Sequence, residues 1–307
     1  LKNRTIPIVL GSLTLLGLSS YLGYLWVKFS RTASDRPPPI SATAQPDVSS
    51  RYDAIASSFD DEVEWTEKLM GIKKLRRKLA AQAKGDVLEV SIGTGRNLEG
   101  YKGFDTRPFE GEGLKSFTAV DKSLEMLEVA HEKFSKLYPG IIGVRWVVGD
   151  ASQPGAIPGP PRNANERSGV VEGGKYDTVV QTMGLCSVDD PVALLKNLGN
   201  VVKEDTGRIL LLEHGRGRWK WLNKILDKFA EGHAKEYGCW WNRDLEQVVK
   251  ESGLEIVNME SWHGGTTLWF ELKKPKMKEE EILKIAVEKA QKSRVEREGN
   301  WMKRWFG

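Results

Sequence analysis

Hydrophobic and polar positions fall into three regimes along the chain. Thr5 to Val27 is an apolar run of 23 residues without a charge. As a helix rising about 1.5 Å per residue it would span roughly 34 Å, enough to cross a hydrocarbon core. Lys2 and Arg4 precede it, Lys28 and Arg31 follow it, and Tyr21, Tyr24 and Trp26 gather at one end. Amphipathic rings favour the headgroup region, so the pattern predicts a single transmembrane helix over 5–27 behind a short flank at 1–4. A secretory signal has a shorter apolar stretch and a small-residue cleavage site, and no clean site is present. Positive charges on both sides leave the orientation open. Residues 28–50 carry three consecutive prolines, Pro37 to Pro39, among small polar residues. Such a stretch cannot build a core and reads as an extended tether, with the globular domain starting near Arg51.

From 51 to 83 the pattern is helical, with Trp65, Leu69, Ile72, Leu75 and Leu79 recurring at three and four residues. The period then shortens. Strand-like runs are predicted at 86–90, 116–120, 144–148, 176–181, 208–212, 254–259 and 266–272. Helical stretches lie between most of them, at 124–137, 191–202, 219–233 and 244–252. Strands alternating with helices imply right-handed crossovers. The expected fold is therefore α/β, a three-layer, seven-stranded, mostly parallel sheet of Rossmann-like form over 51–272. A Pro/Gly/Asn-rich stretch at 153–174 reads as a mobile insertion or lid between the third and fourth strands.

The last segment, 273–307, is charged and partly helical. From Glu271 to Gly307 there are eleven Lys and Arg against seven Glu, so this stretch carries the whole formal net charge of +4. The remainder is neutral overall, which argues against a broad nucleic-acid-binding surface. Leu283, Ala286, Val287 and Ala290 form a narrow apolar stripe, and Trp301, Trp305 and Phe306 flank Lys303 and Arg304. The tail is expected to meet the membrane or to pack on the domain or on a partner protein of a membrane complex. Only Cys186 and Cys239 are present, so there is no disulfide framework, and the spacings of His214, His233, Cys239 and His263 match no zinc pattern.

The chemistry-bearing pattern is Val87-Leu-Glu-Val-Ser-Ile-Gly-Thr-Gly-Arg-Asn97. Gly93 and Gly95, directly after a strand, permit a tight turn and a close ligand approach. Asp121 ends the second predicted strand, where a carboxylate can accept ribose hydroxyls, and Asp150 ends the third, suited to an adenine amine. A dinucleotide fingerprint needs a third glycine, but Leu98 stands there, and Glu89 inside the first strand suits a cationic ligand centre better than a pyrophosphate. S-adenosylmethionine is thus favoured over NAD.

Residues 86–97, Asp121, Gly149-Asp150 and the strand Lys175-Tyr-Asp-Thr-Val-Val-Gln181 resemble a class I S-adenosylmethionine-dependent methyltransferase. Within that class the chain is similar to the ubiquinone/menaquinone C-methyltransferase relatives, whose helical lead-in over the cofactor resembles Arg51-Tyr-Asp-Ala-Ile-Ala-Ser-Ser-Phe-Asp60. A closer resemblance is to fungal methyltransferase-like proteins anchored in the mitochondrial inner membrane. It rests on Gln181-Thr-Met-Gly-Leu-Cys-Ser187 with Asp190-Pro191, on Leu211-Leu-Glu-His-Gly-Arg-Gly217, and on Cys239-Trp-Trp-Asn-Arg-Asp244. The resemblance implies a single-pass inner-membrane protein. It places Glu89, Gly93 and Gly95 around the methionine part of the cofactor, Asp121 at the ribose, and Asp150 and Ala151 beside adenine. Gln181 falls at the exit of the fourth strand, and Asn97 and Lys122 complete the set.

Methyl transfer is largely alignment, with a base where the acceptor must lose a proton. His214, directly after the fifth strand, is the candidate base, with Glu213 and Arg216 beside it; a loop-bracing role is the alternative reading. The expected acceptor is a small or lipophilic, quinone-like molecule. Two other functions stay open: a methyltransferase-fold scaffold for a membrane complex, and an RNA or protein methyltransferase. The second lacks the Asn/Asp-Pro-Pro-Tyr/Phe string of amino-group methylation, since the fourth strand ends in Gln181-Thr-Met-Gly.

Overall fold

The computed structural model of the protein describes residues 2–30, 45–104, 113–141, 143–161 and 174–275. The central and C-terminal parts of the expected insertion (162–173), most of the expected tether and the tail beyond 275 lie outside the described residues. Helix α1 (Lys2–Ser30) contains the apolar run, and Thr5–Val27 is long and apolar enough to cross a membrane. Its described side chains are exposed apart from Leu25, which is half-buried.

Three short helices follow: α2 (Arg51–Ile55), α3 (Phe59–Leu69) and α4 (Ile72–Ala80). Strand β1 (Gly85–Val90) leads into β2 (Leu114–Asp121), α5 (Leu124–Leu137) and β3 (Val144–Val148). Next come β4 (Thr178–Thr182), α6 (Pro191–Val201) and β5 (Arg208–His214). Helices α7 (Lys220–Tyr237) and α8 (Leu245–Ser252) precede the final pair, β6 (Glu255–Trp262) and β7 (Thr267–Lys273). The sheet order is β3-β2-β1-β4-β5-β7-β6, parallel except for β7, which is antiparallel to both neighbours.

The central strands are apolar on both sides because both faces are covered. Leu88, Val90, Val179, Ile209 and Leu211 pack with Leu194, Leu198 and Val248 of α6 and α8. Their neighbours Val87, Val180, Leu210 and Leu212 face the opposite layer, with Leu79, Leu127, Ala130 and Phe134 of α4 and α5. Helix starts are fixed by capping side chains: Ser123 accepts from Met126 N (3.2 Å), Asp190 from Ala193 N (2.8 Å) and Asp244 from Gln247 N (3.0 Å).

Three stretches differ from the expectation. Residues 45–50 are built into the domain rather than trailing from it: Gln45 is buried and donates to Asn242 Oδ1 (3.1 Å), and Trp240 Nε1 donates to the Pro46 carbonyl (2.9 Å). The start of the insertion is also packed, with Ile157 in the core and the Pro158 carbonyl accepting from Tyr176 Oη (2.8 Å). The apolar stripe expected at 65–79 divides. Ile72 and Leu79 are buried, but Trp65 and Leu69 are 72% and 77% exposed, and α3 has no buried residue.

Candidate active site

Two loops meet where the strand order reverses, after β1 and β4, the place at which open α/β sheets bind ligands. The β1 loop is tightly wound, with positive φ at Ser91 (51°), Gly93 (57°) and Gly95 (75°), and Met183 after β4 shares that conformation (55°). A Cβ on Gly95 would stand 2.5 Å from Leu98 Cδ1, so that glycine is demanded by packing. A Cβ on Gly93 would stand in open space, so that position leaves room for a ligand. At Gly184 a Cβ would lie 2.7 Å from the Ser91 Cβ and 2.8 Å from Gln181 Nε2, which is how closely the two loops touch.

Around this point lies a cavity of ≈ 870 Å³. Gly93, Asp121, Lys122, Asp150 and Ala151 line one part of it; Cys186, His214, His233, Cys239 and Trp241 also reach its wall, as do Tyr21 and Leu25 of α1. The Asp121 carboxylate accepts from Gly93 N (2.7 Å) and Ser123 N (3.0 Å). Burial raises its pKa, against the pull of these backbone N–H groups. Asp150 accepts from Ser152 N (2.9 Å) and Ser152 Oγ (2.6 Å), while Lys122 pairs with Asp47 and stands 3.9 Å from Asp150.

Glu89, Asn97 and Gln181 lie behind the wall. Glu89 is buried and accepts from Tyr101 Oη (2.7 Å) and Asn97 Nδ2 (2.7 Å). Burial dominates these two donors and pushes its pKa up to about 7. Asn97 also donates to Thr182 Oγ1 (2.9 Å) and accepts from Arg76 (3.3 Å), and Arg76 in turn pairs with Glu67 (2.9 Å). Gln181 is fully buried, and neither atom of its amide has a hydrogen-bond partner.

Of the three residues expected to do chemistry, His214 alone reaches the cavity. Burial and the charge of Arg76 push its pKa down to about 4, so its ring is neutral. Glu213 is turned inward, where it accepts from Gly184 N and Leu185 N (both 3.1 Å) and braces the β4–α6 loop. Arg216 forms a two-pronged pair with Asp227 (2.7 and 3.0 Å). Both side chains are thus committed to holding structure.

His233 is a cavity residue that sequence reasoning considered only as a metal ligand. Its Nδ1 lies 2.7 Å from the Cys239 carbonyl, and its ring stacks on Trp241 at 3.8 Å. A carbonyl only accepts, so Nδ1 carries the proton and Nε2 keeps its lone pair. Burial holds this ring neutral too, with a pKa of about 4. The only local clue was Gly238, whose left-handed turn (φ 66°) ends α7 and brings Cys239 back against the helix.

Comparison with known proteins decides the family. The model of a methyltransferase domain matches residues 64–259. The chain belongs to that family. Methyltransferase OMS1, mitochondrial, of Saccharomyces cerevisiae is 40% identical over 223 residues, covering 72% of this chain and 45% of that protein. The chain therefore spans slightly less than half the length of this curated relative. A SAM-dependent methyltransferase from Thermotoga maritima superposes with a TM-score of 0.50 at 15% identity, covering 74% of this chain and 100% of that one. A chain from the complex of the Haloferax volcanii Trm112 methyltransferase activator with a methyltransferase gives 0.51 at 14% identity, covering 76% and 100%. At these identities the likeness is one of fold.

S-adenosylmethionine is the methyl donor of this methyltransferase class, and the residues present fit it. Gly93 leaves open space beside the loop, Asp121 offers a carboxylate at the end of β2, and the orphaned Gln181 amide lies beneath Gly184. Glu89 places a buried carboxyl behind the same loop.

Proposed function

We propose that this methyltransferase moves the methyl group of S-adenosylmethionine to a small lipophilic acceptor, quinone-like in character, at the mitochondrial inner membrane. The observation behind the acceptor class is the wall of the cavity. Tyr21 and Leu25, from the apolar helix, line the same space as Gly93, Asp121 and Asp150. An acceptor dissolved in the bilayer would then reach the cofactor without crossing water. The mitochondrial setting is supported by the relative's own name.

The bound donor supplies an electrophilic methyl group attached to a sulfonium. Gly93 and Asp121 would position it; Asp150 and Ala151 would flank the adenine. His214 and His233 present neutral imidazoles to the cavity, and either would take the acceptor's proton as the new bond forms. A weakly basic ring suffices there, because an acceptor gains acidity as it is methylated.

Calorimetry on the full chain in detergent tests the donor site. Asp121→Ala should weaken S-adenosylmethionine binding by roughly 1–3 kcal/mol, the cost of leaving its partners unpaired. Unchanged affinity in the folded variant would remove Asp121 from the site. No binding by the unaltered protein would favour a scaffold role.

A further inference from the structure

We propose that the outer face of α7 lies on the anionic headgroups of the bilayer that α1 enters, a second contact that sets the domain down on the membrane. The inference rests on reading α1 as a membrane span.

Helix α7 has two unlike sides. Leu226, Phe229, Ala230 and Ala234 are buried, Ala230 and Ala234 against Trp240. On the other side Trp221 is 60% and Ile225 45% exposed, and Trp219, just ahead of the helix, is 52% exposed. The two tryptophan rings stack at the surface, centroids 5.8 Å apart and 12° from parallel, with Trp219 resting on the Gly264 turn. Arg218, Lys220, Lys224 and Lys228 are exposed around them. Helical spacing puts Trp221, Lys224, Ile225 and Lys228 on one surface. Of the three acidic residues of the helix, Asp227 is answered by Arg216 and Glu231 by Lys235, and Glu236 lies about two turns beyond Lys228. The result is an aromatic face with surplus positive charge.

Such a face suits the boundary of a lipid layer, where rings bury at headgroup level and cations meet phosphates. Its position favours lipid over a protein partner. Trp26, next to the end of the apolar run, packs edge-on against Phe229 at 5.8 Å. Lys228 sits over both rings, 5.1 Å from Trp26 and 5.6 Å from Phe229. The helix is therefore held at the level where a span ending at Val27 would leave the hydrocarbon, and its cations stand at headgroup depth.

The test uses the full chain in phosphatidylcholine vesicles with and without phosphatidylglycerol. A photoreactive benzoylphenylalanine replaces Trp221, Ile225 or, as a control, Glu204, which lies before β5 at the opposite end of the strands from the cavity. Illumination should give lipid adducts from 221 and 225 and none from 204. Charge reversal by K220E/K224E/K228E should lower the adduct yield in anionic vesicles at least fivefold, since each cation near a negative surface contributes about that factor. Adducts to protein alone, equal lipid labelling at 204, or equal yields in the two kinds of vesicle would overturn the proposal. Extraction with alkaline carbonate separates the two readings. A chain that stays with the vesicles yet gives no lipid adduct at 221 and 225 keeps the span and loses the surface; a chain released by carbonate loses both.

Discussion

Glu89 shows how much a single buried position controls. Its carboxyl has two neutral donors, Tyr101 and Asn97, and a pKa near 7, so about half the molecules carry the proton at neutral pH. A sulfonium and an ammonium arriving in front of the loop would favour the charged carboxylate. Binding of S-adenosylmethionine should therefore expel roughly half a proton per site at pH 7, and affinity should rise between pH 6 and 8. Calorimetry in buffers of different ionisation heat measures this release. Glu89→Gln should abolish both the release and the pH dependence; a release that persists in the variant would assign it to another group. Reading Glu89 as a carboxyl near a cationic centre needed only its place inside a strand ahead of two glycines. Its altered pKa was not legible, because that depends on Tyr101 and on burial by the opposite helical layer.

Helix α3 teaches the same lesson at the level of an element. Its apolar residues Trp65 and Leu69 point outward, and what docks it is an acidic stripe. Asp60, Glu64 and Glu67, at helical spacing, all pair with Arg96 of the β1 loop, at 3.0, 2.9 and 3.0 Å. Arg96 is almost buried, with 9% of its side chain exposed, and Thr94 Oγ1 adds a bond to Asp60 (2.5 Å). The helix carrying Phe59 and Thr66 to the cavity is thus latched to the cofactor loop by charge. Arg96→Ala would remove the cation the three carboxylates share, leaving Asp60 to Lys133, Glu64 to Lys73 and Glu67 to Arg76. It should loosen α3 by roughly 1 kcal/mol, most of it from the buried Glu67 contact. Hydrogen exchange over 56–71 would rise and S-adenosylmethionine affinity would fall, whereas Arg96→Lys, keeping charge without the fork, should lie between. Unchanged exchange in the alanine variant would mean the latch is ornamental. Elements whose period and caps agree were readable: the helix expected at 124–137 is α5, with Ser123 at its cap. The α3 docking was hidden because an acidic stripe usually faces solvent, and its partner is on a loop some thirty residues later. The packed segment 45–50 was hidden by its polar composition.

Across the whole molecule, buried acids and half-buried histidines oppose each other. His214 and His233 titrate near 4 in the fold and 6.5 unfolded. Between those values the unfolded chain binds their protons and the folded one does not, so each weakens the fold as pH drops. Glu89 works in reverse: raised to about 7 from 4.5, it keeps its proton in the fold and stabilises as pH drops from 7, an effect lost as pH rises through 7. Glu213, also raised by burial, acts in the same direction as Glu89. From pH 7 to 5 each histidine should cost roughly 2 kcal/mol and Glu89 should return roughly 2 kcal/mol, before solvent near the cavity reduces both. The two histidines together outweigh Glu89, Glu213 offsets part of the difference, and single substitutions tilt the profile in opposite ways. His233→Gln loses contacts with Trp241 and the Cys239 carbonyl, so it is less stable than the native chain at pH 7. That gap should narrow by up to about 2 kcal/mol at pH 5, because the native chain alone pays for excluding the proton. For Glu89→Gln the gap should widen by a similar amount over the same range. Denaturant titration of the detergent-solubilised chain at the two pH values measures both gaps. A His233→Gln gap that does not narrow would show that the fold does not hold the His233 ring neutral, and a Glu89→Gln gap that does not widen would return Glu89 to an ordinary carboxyl.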